Sequence, residues 1–250
     1  MGTLDPMASG VLPVAVGNAA RLFDYFLDKK KTYVATFIFG TDSDTLDITG
    51  NLVENVGYVP TDTQIKEALS SFTGEILQVP PKYSAKNING KRGYQLARAG
   101  VEFELPPKKV RIYSFKLLSQ GVRDSFTFEI ECGGGTYIRS LARDLGKKLG
   151  TCAVMSGLRR TVSGIFYAEK SVKTDILNTE NILNYVIPTD SVLPYESIVP
   201  TLNEAKKLFN GLTVGTDRND GIYKIYRPDG SFYGLAEAVG SVLKVTKKLC

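Results

Sequence analysis

Asp5 stands in the run Gly2-Thr3-Leu4-Asp5-Pro6. The proline after it pushes its backbone out of the helical region, and the glycine before it lets a neighbour approach closely. A stiff, extended loop of this kind can present a carboxylate as a nucleophile. The same residues also describe an ordinary Asp-Pro turn, which is the simpler reading on physics alone. Arg139 is the second candidate. If Thr136 caps the helix that follows Gly133-Gly134-Gly135, Arg139 occupies the third helical position. A cation there faces the positive end of the helix dipole, at a cost of about 0.3–1 kcal/mol. A nearby carboxylate or phosphate must compensate, in a site or in a structural salt bridge. Tyr33, one residue removed from Lys29-Lys30-Lys31, is either a core-edge tyrosine or an aromatic face for a ligand.

Other chemistries are excluded by count. The 250 residues contain no histidine, which removes Ser-His-Asp, Cys-His and two-histidine metal sites. The three cysteines, Cys132, Cys152 and Cys250, form no C-x-x-C pair and fit reduced thiols in a cytosolic protein. Asp42, Asp44 and Asp47 lie in a short acidic loop, but the glycine and terminal glutamate of a calcium-binding EF-hand are misplaced. No phosphate-cradling glycine loop is present. Metal and cofactor are therefore both expected to be absent, leaving Asp, Glu, Lys, Arg, Tyr, Ser and Thr to act.

The size, with 43% hydrophobic and 23% charged residues, predicts a folded protein of one large domain or a medium and a small one. No apolar run reaches the length needed to span a bilayer, and the N-terminus lacks a signal peptide, so a cytoplasmic protein is expected. The net charge of +5 is unevenly placed. Residues 82–160 hold 16 basic and 6 acidic side chains, while 1–81 hold 5 and 10. Such a basic block, interleaved with Tyr83, Tyr94, Tyr113 and Tyr137, is the footprint of a nucleic-acid binder or a solvated lysine-rich surface.

The elements that must position these residues follow from periodicity. Leu12–Val16 reads as a short buried strand, and Asn18 as the cap of a helix with Leu22, Phe23, Phe26 and Leu27 on one face. Tyr33, Ala35, Phe37 and Phe39 alternate as a strand. Thr61 and Gln64 form a capping box before Ile65, Leu69 and Phe72. A loop runs from Pro80-Pro81 through Asn89-Gly90 to a short helix ending near Ala99. Strands are predicted at 110–118 and 125–132, then a helix with Ile138, Leu141, Leu145 and Leu149 at helical spacing. Mixed strands and helices without a βαβ repeat indicate an α+β fold. Prolines at 188, 194 and 200 read as a linker into a small β-rich domain of residues 200–250, with a turn at Pro228-Asp229-Gly230.

Taken together, the segments GTLDPMASGVLPVAVGNAARL (2–22), KTYVATFIFG (31–40), DTLDITG (44–50), PPKYSAKNINGKRGYQLARAG (80–100), GGGTYIRSLARDLG (133–146) and LRRTVSGIF (158–166) resemble, in order, the TruB family of tRNA pseudouridine-55 synthases. The resemblance covers about residues 1–190. Residues 200–250 look, more weakly, like the family's PUA-type RNA-binding domain. It implies a pseudouridine synthase-type mixed, mostly antiparallel sheet flanked by helices, acting as a monomer on the T-arm of tRNA without cofactor or metal. It further implies that Asp5 attacks a flipped-out uridine, that Tyr33 stacks on the base and that Arg139 orients Asp5. Asp47 would hold that arginine, and Tyr137 and Leu158 would line the uridine pocket. Lys91, Arg92, Lys108, Lys109 and Arg111 would face the RNA. The family also carries a K-P-x-G-x-T-S-like segment and a histidine upstream of this aspartate. Neither occurs here, so an N-terminally truncated member is expected, and a non-catalytic RNA-binding or RNA-folding protein is the alternative.

Overall fold

The computed structural model describes residues 2–27, 29–54, 57–88, 90–122 and 124–249. The predicted turn residue Asn89 and the third thiol, Cys250, lie outside the described residues, as does Met1. The chain divides into two compact units. One is built from the residues up to Pro13 with Phe26–Ser171, the other from Val14–Tyr25 with the residues from Val172 onward.

In the first unit the strands are, in chain order, β1 (Ser9–Gly10), β2 (Lys31–Phe39), β3 (Thr41–Ser43), β4 (Leu52–Glu54), β5 (Gly74–Gln78), β6 (Asn87–Ile88), β7 (Lys91–Arg92), β8 (Lys108–Gln120), β9 (Ser125–Cys132), β10 (Ala153–Ser163) and β11 (Phe166–Tyr167). Seven of them make one sheet in the order β1-β10-β2-β9-β8-β5, with β11 also paired to β10. Only the β1–β10 pairing is parallel, so the sheet is mixed and mostly antiparallel. The remaining four form two hairpins, β3–β4 and β6–β7, the second leading directly into the short helix α3 (Gly93–Arg98).

The sheet forms where alternation is strict. Along β2, Tyr33, Ala35, Phe37 and Phe39 are buried while the residues between them are less so. In register with them, Phe126, Phe128 and Ile130 of β9 turn to the same face, which is the geometry that packs cross-strand pairs. Two helices cover this face. In α2 (Asp62–Leu69) the Thr61–Gln64 capping box is formed in both directions, and Ile65, Ala68 and Leu69 enter the core. In α4 (Ile138–Lys148) Ile138, Leu141, Ala142 and Leu145 do the same. Each fully buried aliphatic or aromatic side chain contributes about 1.5–3 kcal/mol. This core is what holds the start of α4, and with it Arg139, against the sheet.

Three local expectations are corrected. Leu12–Val16 is not a buried strand, since Leu12, Val14 and Val16 are exposed. The pairing segment is instead Ser9–Gly10, just before it. Asn18 caps nothing: a 3₁₀ turn at Gly17–Leu22 leads into α1 (Phe23–Leu27), the cap position falls on Val16, and Phe23 is exposed while Leu22 is buried. Thr136 does not cap α4 either. Its hydroxyl donates to the Gly133 carbonyl, the cap position is Tyr137, and Arg139 is therefore the second helical residue.

The second unit contains β12 (Ser197–Ile198), α5 (Leu202–Phe209), β13 (Val214–Gly215), β14 (Gly221–Tyr226), β15 (Phe232–Val239) and β16 (Val242–Lys248). Its five strands form a separate sheet in the order β12-β14-β15-β16-β13. The predicted Pro228-Asp229-Gly230 turn joins β14 to β15, with the Asp229 carboxylate accepting from the Ser231 amide and hydroxyl.

Candidate active site

Arg139 and Asp5, 134 residues apart in sequence, meet in a two-point contact. The arginine Nε donates to Asp5 Oδ2 at 3.0 Å and Nη2 to Asp5 Oδ1 at 2.8 Å. Parallel fork-to-carboxylate bonding of this kind fixes orientation as well as distance. The other donors are occupied too. Nη1 donates to the Thr45 carbonyl at 3.0 Å and stands 3.4 Å from Asp47 Oδ2, and Nη2 also reaches the Tyr83 carbonyl at 3.1 Å. A guanidinium has five N–H donors; four are hydrogen-bonded here, and the Asp47 carboxylate stands beside Nη1 as an ion-pair partner. Its unfavourable place at a helix N-terminus is offset by two carboxylates.

Asp47 is itself pinned. Its Oδ1 accepts from the Thr45 hydroxyl and from the amide and hydroxyl of Thr49. The short acidic loop thus serves as a bracket for Arg139. Among the described residues no cluster of three or more cysteines or carboxylates is arranged to hold a metal.

The start of α4 is fastened by β5. Gln78, fully buried at the end of that strand, accepts from the Tyr137 amide at 2.8 Å and donates to the Tyr137 carbonyl at 3.1 Å. Ser140 and Arg143 donate to the next carbonyl, that of Val79. No side chain caps α4; Gln78 satisfies the Tyr137 amide, and the Ser140 and Arg143 bonds tie the first turn to the strand.

Asp5 differs from its partners in being reachable. Its side chain is 30% exposed, against 7% for Arg139. Each carboxylate oxygen uses one lone-pair direction on the guanidinium and keeps another. The loop around it is tied back by an Ala8 amide to Asp5 carbonyl bond, with Leu4, Met7 and Ala8 resting on the core. A cleft of about 790 Å³ is lined by Leu46, Lys82, Tyr83, Phe103 and Arg143 among others. It adjoins this centre through Tyr83, whose carbonyl holds Arg139.

Tyr33 lies on the core face of β2, opposite Arg160 of β10, and is 7% exposed. Burial pushes its phenol above the ordinary value and Cys132 adds to the rise. The Arg160 guanidinium opposes it, and the Asp5 charge adds a smaller upward push. Leu158 pairs with Ala35 on the same face and is part of the hydrophobic core. Tyr137 is half-buried at the α4 cap. The structure therefore joins Asp5, Arg139 and Asp47 directly, and sets Tyr33 within electrostatic reach of Asp5.

The five basic residues are all exposed but are not equivalent. Arg92 donates to the Ala85 carbonyl at 2.7 Å and so supports its own loop. Arg111 and Lys30 both lie over the Tyr113 ring. The Thr45 and Tyr83 carbonyls, Gln78 and Arg160 went unnoticed in the sequence. Only Arg160 left a signal, as a charge on the inward phase of an alternating strand.

The architecture has known counterparts. The crystal structure of a Cbf5-Nop10-Gar1 complex superposes with a TM-score of 0.65 at 23% identity, over 100% of this chain and 75% of the other. The archaeal box H/ACA sRNP Nop10-Cbf5 complex also gives 0.65, at 23% identity and over 100% and 76%. At this identity the likeness is one of fold. In sequence, the chain is 40% identical over 255 residues to the tRNA pseudouridine synthase B of Clostridium acetobutylicum, and 40% identical over 258 residues to that of Aquifex aeolicus. Each match covers 99% of this chain and 88% of the relative. The relatives define an enzyme of the pseudouridine synthase class. Residues 1–138 match the TruB family pseudouridylate synthase N-terminal domain, and residues 139–199 the tRNA pseudouridylate synthase B C-terminal domain. The chain belongs to the TruB family.

Proposed function

We propose that this chain isomerises uridine to pseudouridine in tRNA, at position 55 of the T-loop, with Asp5 as the attacking group. The observation that carries the reading is the Arg139–Asp5 fork, which aims a carboxylate that stays 30% exposed. A uracil in a folded arm must leave its stack to reach such a group, at a cost of a few kcal/mol. Contacts of basic residues with phosphates and of aromatic faces with displaced bases offset that cost.

On this reading the Asp5 carboxylate bonds to C1′ of the everted uridine as the N1–C1′ bond breaks. The base turns, and C5 bonds to C1′ as the Asp5–C1′ bond breaks, which returns the free carboxylate. The proton lost from C5 is matched by one gained at N1, so substrate and product are isomers and no redox partner is consumed. Tyr33 would stack on the base and assist the proton transfer. Asp47 holds Arg139, while Tyr137 and Leu158 line the base pocket. Lys91, Arg92, Lys108, Lys109 and Arg111 meet the backbone, and the 200–250 sheet is assigned to RNA binding as a PUA-like module. The enzyme acts as a cytoplasmic monomer in this proposal; among the described residues, no helix is long and apolar enough to cross a membrane.

Release of tritium from a tRNA transcript carrying 5-tritiated uridine tests it. The chain as given releases tritium, Asp5→Ala does not, and a transcript lacking uridine at position 55 is inert. Turnover in Asp5→Ala would remove the assignment of Asp5. Salt-sensitive tRNA binding with no release would make the chain an RNA-binding protein instead.

A further inference from the structure

Arg160 is the largest side chain in the core and is 1% exposed. Its Nε donates to the Val11 carbonyl at 2.8 Å and its Nη1 to the Gly2 carbonyl at 2.9 Å. Those carbonyls bound the loop that carries Asp5. The main chain joins the same grip: the Val11 amide donates to the Arg160 carbonyl at 2.9 Å, and Gly10 pairs with Arg160 across β1 and β10. Gly10 has φ +109°, and a Cβ there would stand 2.1 Å from the Arg160 carbonyl oxygen, so only glycine allows this approach.

Stability does not explain the placement. Taking a guanidinium out of water is costly unless it is paired, and among the described residues no carboxylate forms an ion pair with Arg160. Its Nη2 is buried without a hydrogen bond of good geometry, and the guanidinium faces the Tyr33 phenol across the strands, which it acts on by charge and hydrogen bonding. A buried cation held by carbonyls and a phenol, with no carboxylate, calls for a reason other than packing.

We propose that Arg160 is a positioning residue for the reaction. It clamps both ends of the 2–11 loop and thereby sets where the Asp5 carboxylate stands over the face that carries Tyr33. Arg139 then fixes the direction of the carboxylate, and Arg160 the location of the loop beneath it. The inference rests on the proposed role of Asp5.

The test is a double-mutant cycle of Arg160→Lys and Gly2→Ala, read as single-turnover tritium release at saturating tRNA. A lysine reaches one carbonyl at a time. Alanine at Gly2 has room, its Cβ 3.7 Å from Arg160 Nη1, but its φ of +74° displaces the carbonyl. Misplacing a reacting group by about 1 Å costs about 100-fold. Arg160→Lys is therefore expected to lose about that factor, with tRNA affinity changed less than 3-fold. Gly2→Ala loses about 10-fold with a melting temperature lowered by only about 2–4 °C, and the double variant is no slower than Arg160→Lys, because both act through one clamp. A wild-type rate in Arg160→Lys, a loss confined to KM, or single effects that multiply in the double variant would each overturn the proposal. If Arg160→Lys does not fold, Gly2→Ala decides by the same rate and melting criteria. A wild-type chain that releases no tritium overturns the proposed function, and the clamp with it.

Discussion

Arg139 touches both oxygens of Asp5 at once, through Nε at 3.0 Å and Nη2 at 2.8 Å, while its remaining donors face Thr45, Asp47 and Tyr83. A lysine would place one compact charge near the same spot and hold one oxygen. Arg139→Lys should therefore keep the fold and bind tRNA within about 3-fold of wild type, yet lose about 100-fold in single-turnover rate. Gel-shift binding and tritium release measure the two separately. A rate near wild type would show that the fork does not aim the carboxylate.

How much of this centre could be read beforehand depended on whether a residue leaves a local trace. Arg139 did, because a cation in the first turn of a helix demands a counter-charge. Its partner, 134 residues away, could be named only through the family resemblance. The strict alternation of β2 and β9 fixed their inward faces, since a half-buried strand has a period of two. Leu12–Val16 misled because apolar composition alone does not distinguish a buried strand from an extended exposed segment. Gln78 was invisible for another reason. Its partner is a backbone peptide 59 residues on, and main-chain groups carry no sequence pattern.

Gln78 also predicts a stability effect. Leucine is of similar volume, but it would leave the Tyr137 amide without its partner at the start of α4, while the Tyr137 carbonyl keeps the Leu141 amide. An orphaned buried group costs about 1–3 kcal/mol. Gln78→Leu should lose about 2 kcal/mol, seen as a drop of about 4–8 °C in the melting transition. The tritium-release rate should fall with it, because α4 carries Arg139. Melting coincident with wild type would mean that water or a shifted backbone satisfies Tyr137 equally well.

Cys132 sets an alkaline limit. Burial raises its thiol from 9.0 to about 11, against smaller lowering effects from Thr136 and Lys31. The folded state therefore keeps a proton that the unfolded chain has released between those two values. Stability is fully present below about pH 9 and is lost as pH rises toward 11, by about 3 kcal/mol over the whole interval. Tyr33, also raised by burial, acts in the same direction, so the comparison must isolate the thiol. Urea midpoints of the wild type should fall more steeply between pH 9 and 11 than those of Cys132→Ala, which retains Tyr33. Parallel curves would show that the thiol ionises as readily in the folded protein as in the unfolded chain.

The exposed lysines predict a change in how binding depends on salt. Each cation held against a phosphate releases condensed counterions, so log K falls linearly with log salt, by about 0.9 per contact on a duplex and about 0.7 on a single strand. Lys91, on the β6–β7 hairpin, and Lys109, on β8 opposite Leu77 of β5, are exposed on separate elements. Arg92 is unsuitable for the same experiment because it also holds the Ala85 carbonyl, so its removal would loosen the loop as well as delete a charge. The double variant Lys91→Ala/Lys109→Ala should weaken tRNA binding and reduce the salt slope by about 1.4–1.8 for the two lost contacts. The single-turnover rate at saturating tRNA should stay unchanged, because neither lysine bonds to the Asp5–Arg139 centre. An unchanged slope would move the RNA to another face. A rate that falls with the slope intact would place these lysines in the alignment of the base rather than in the capture of the backbone.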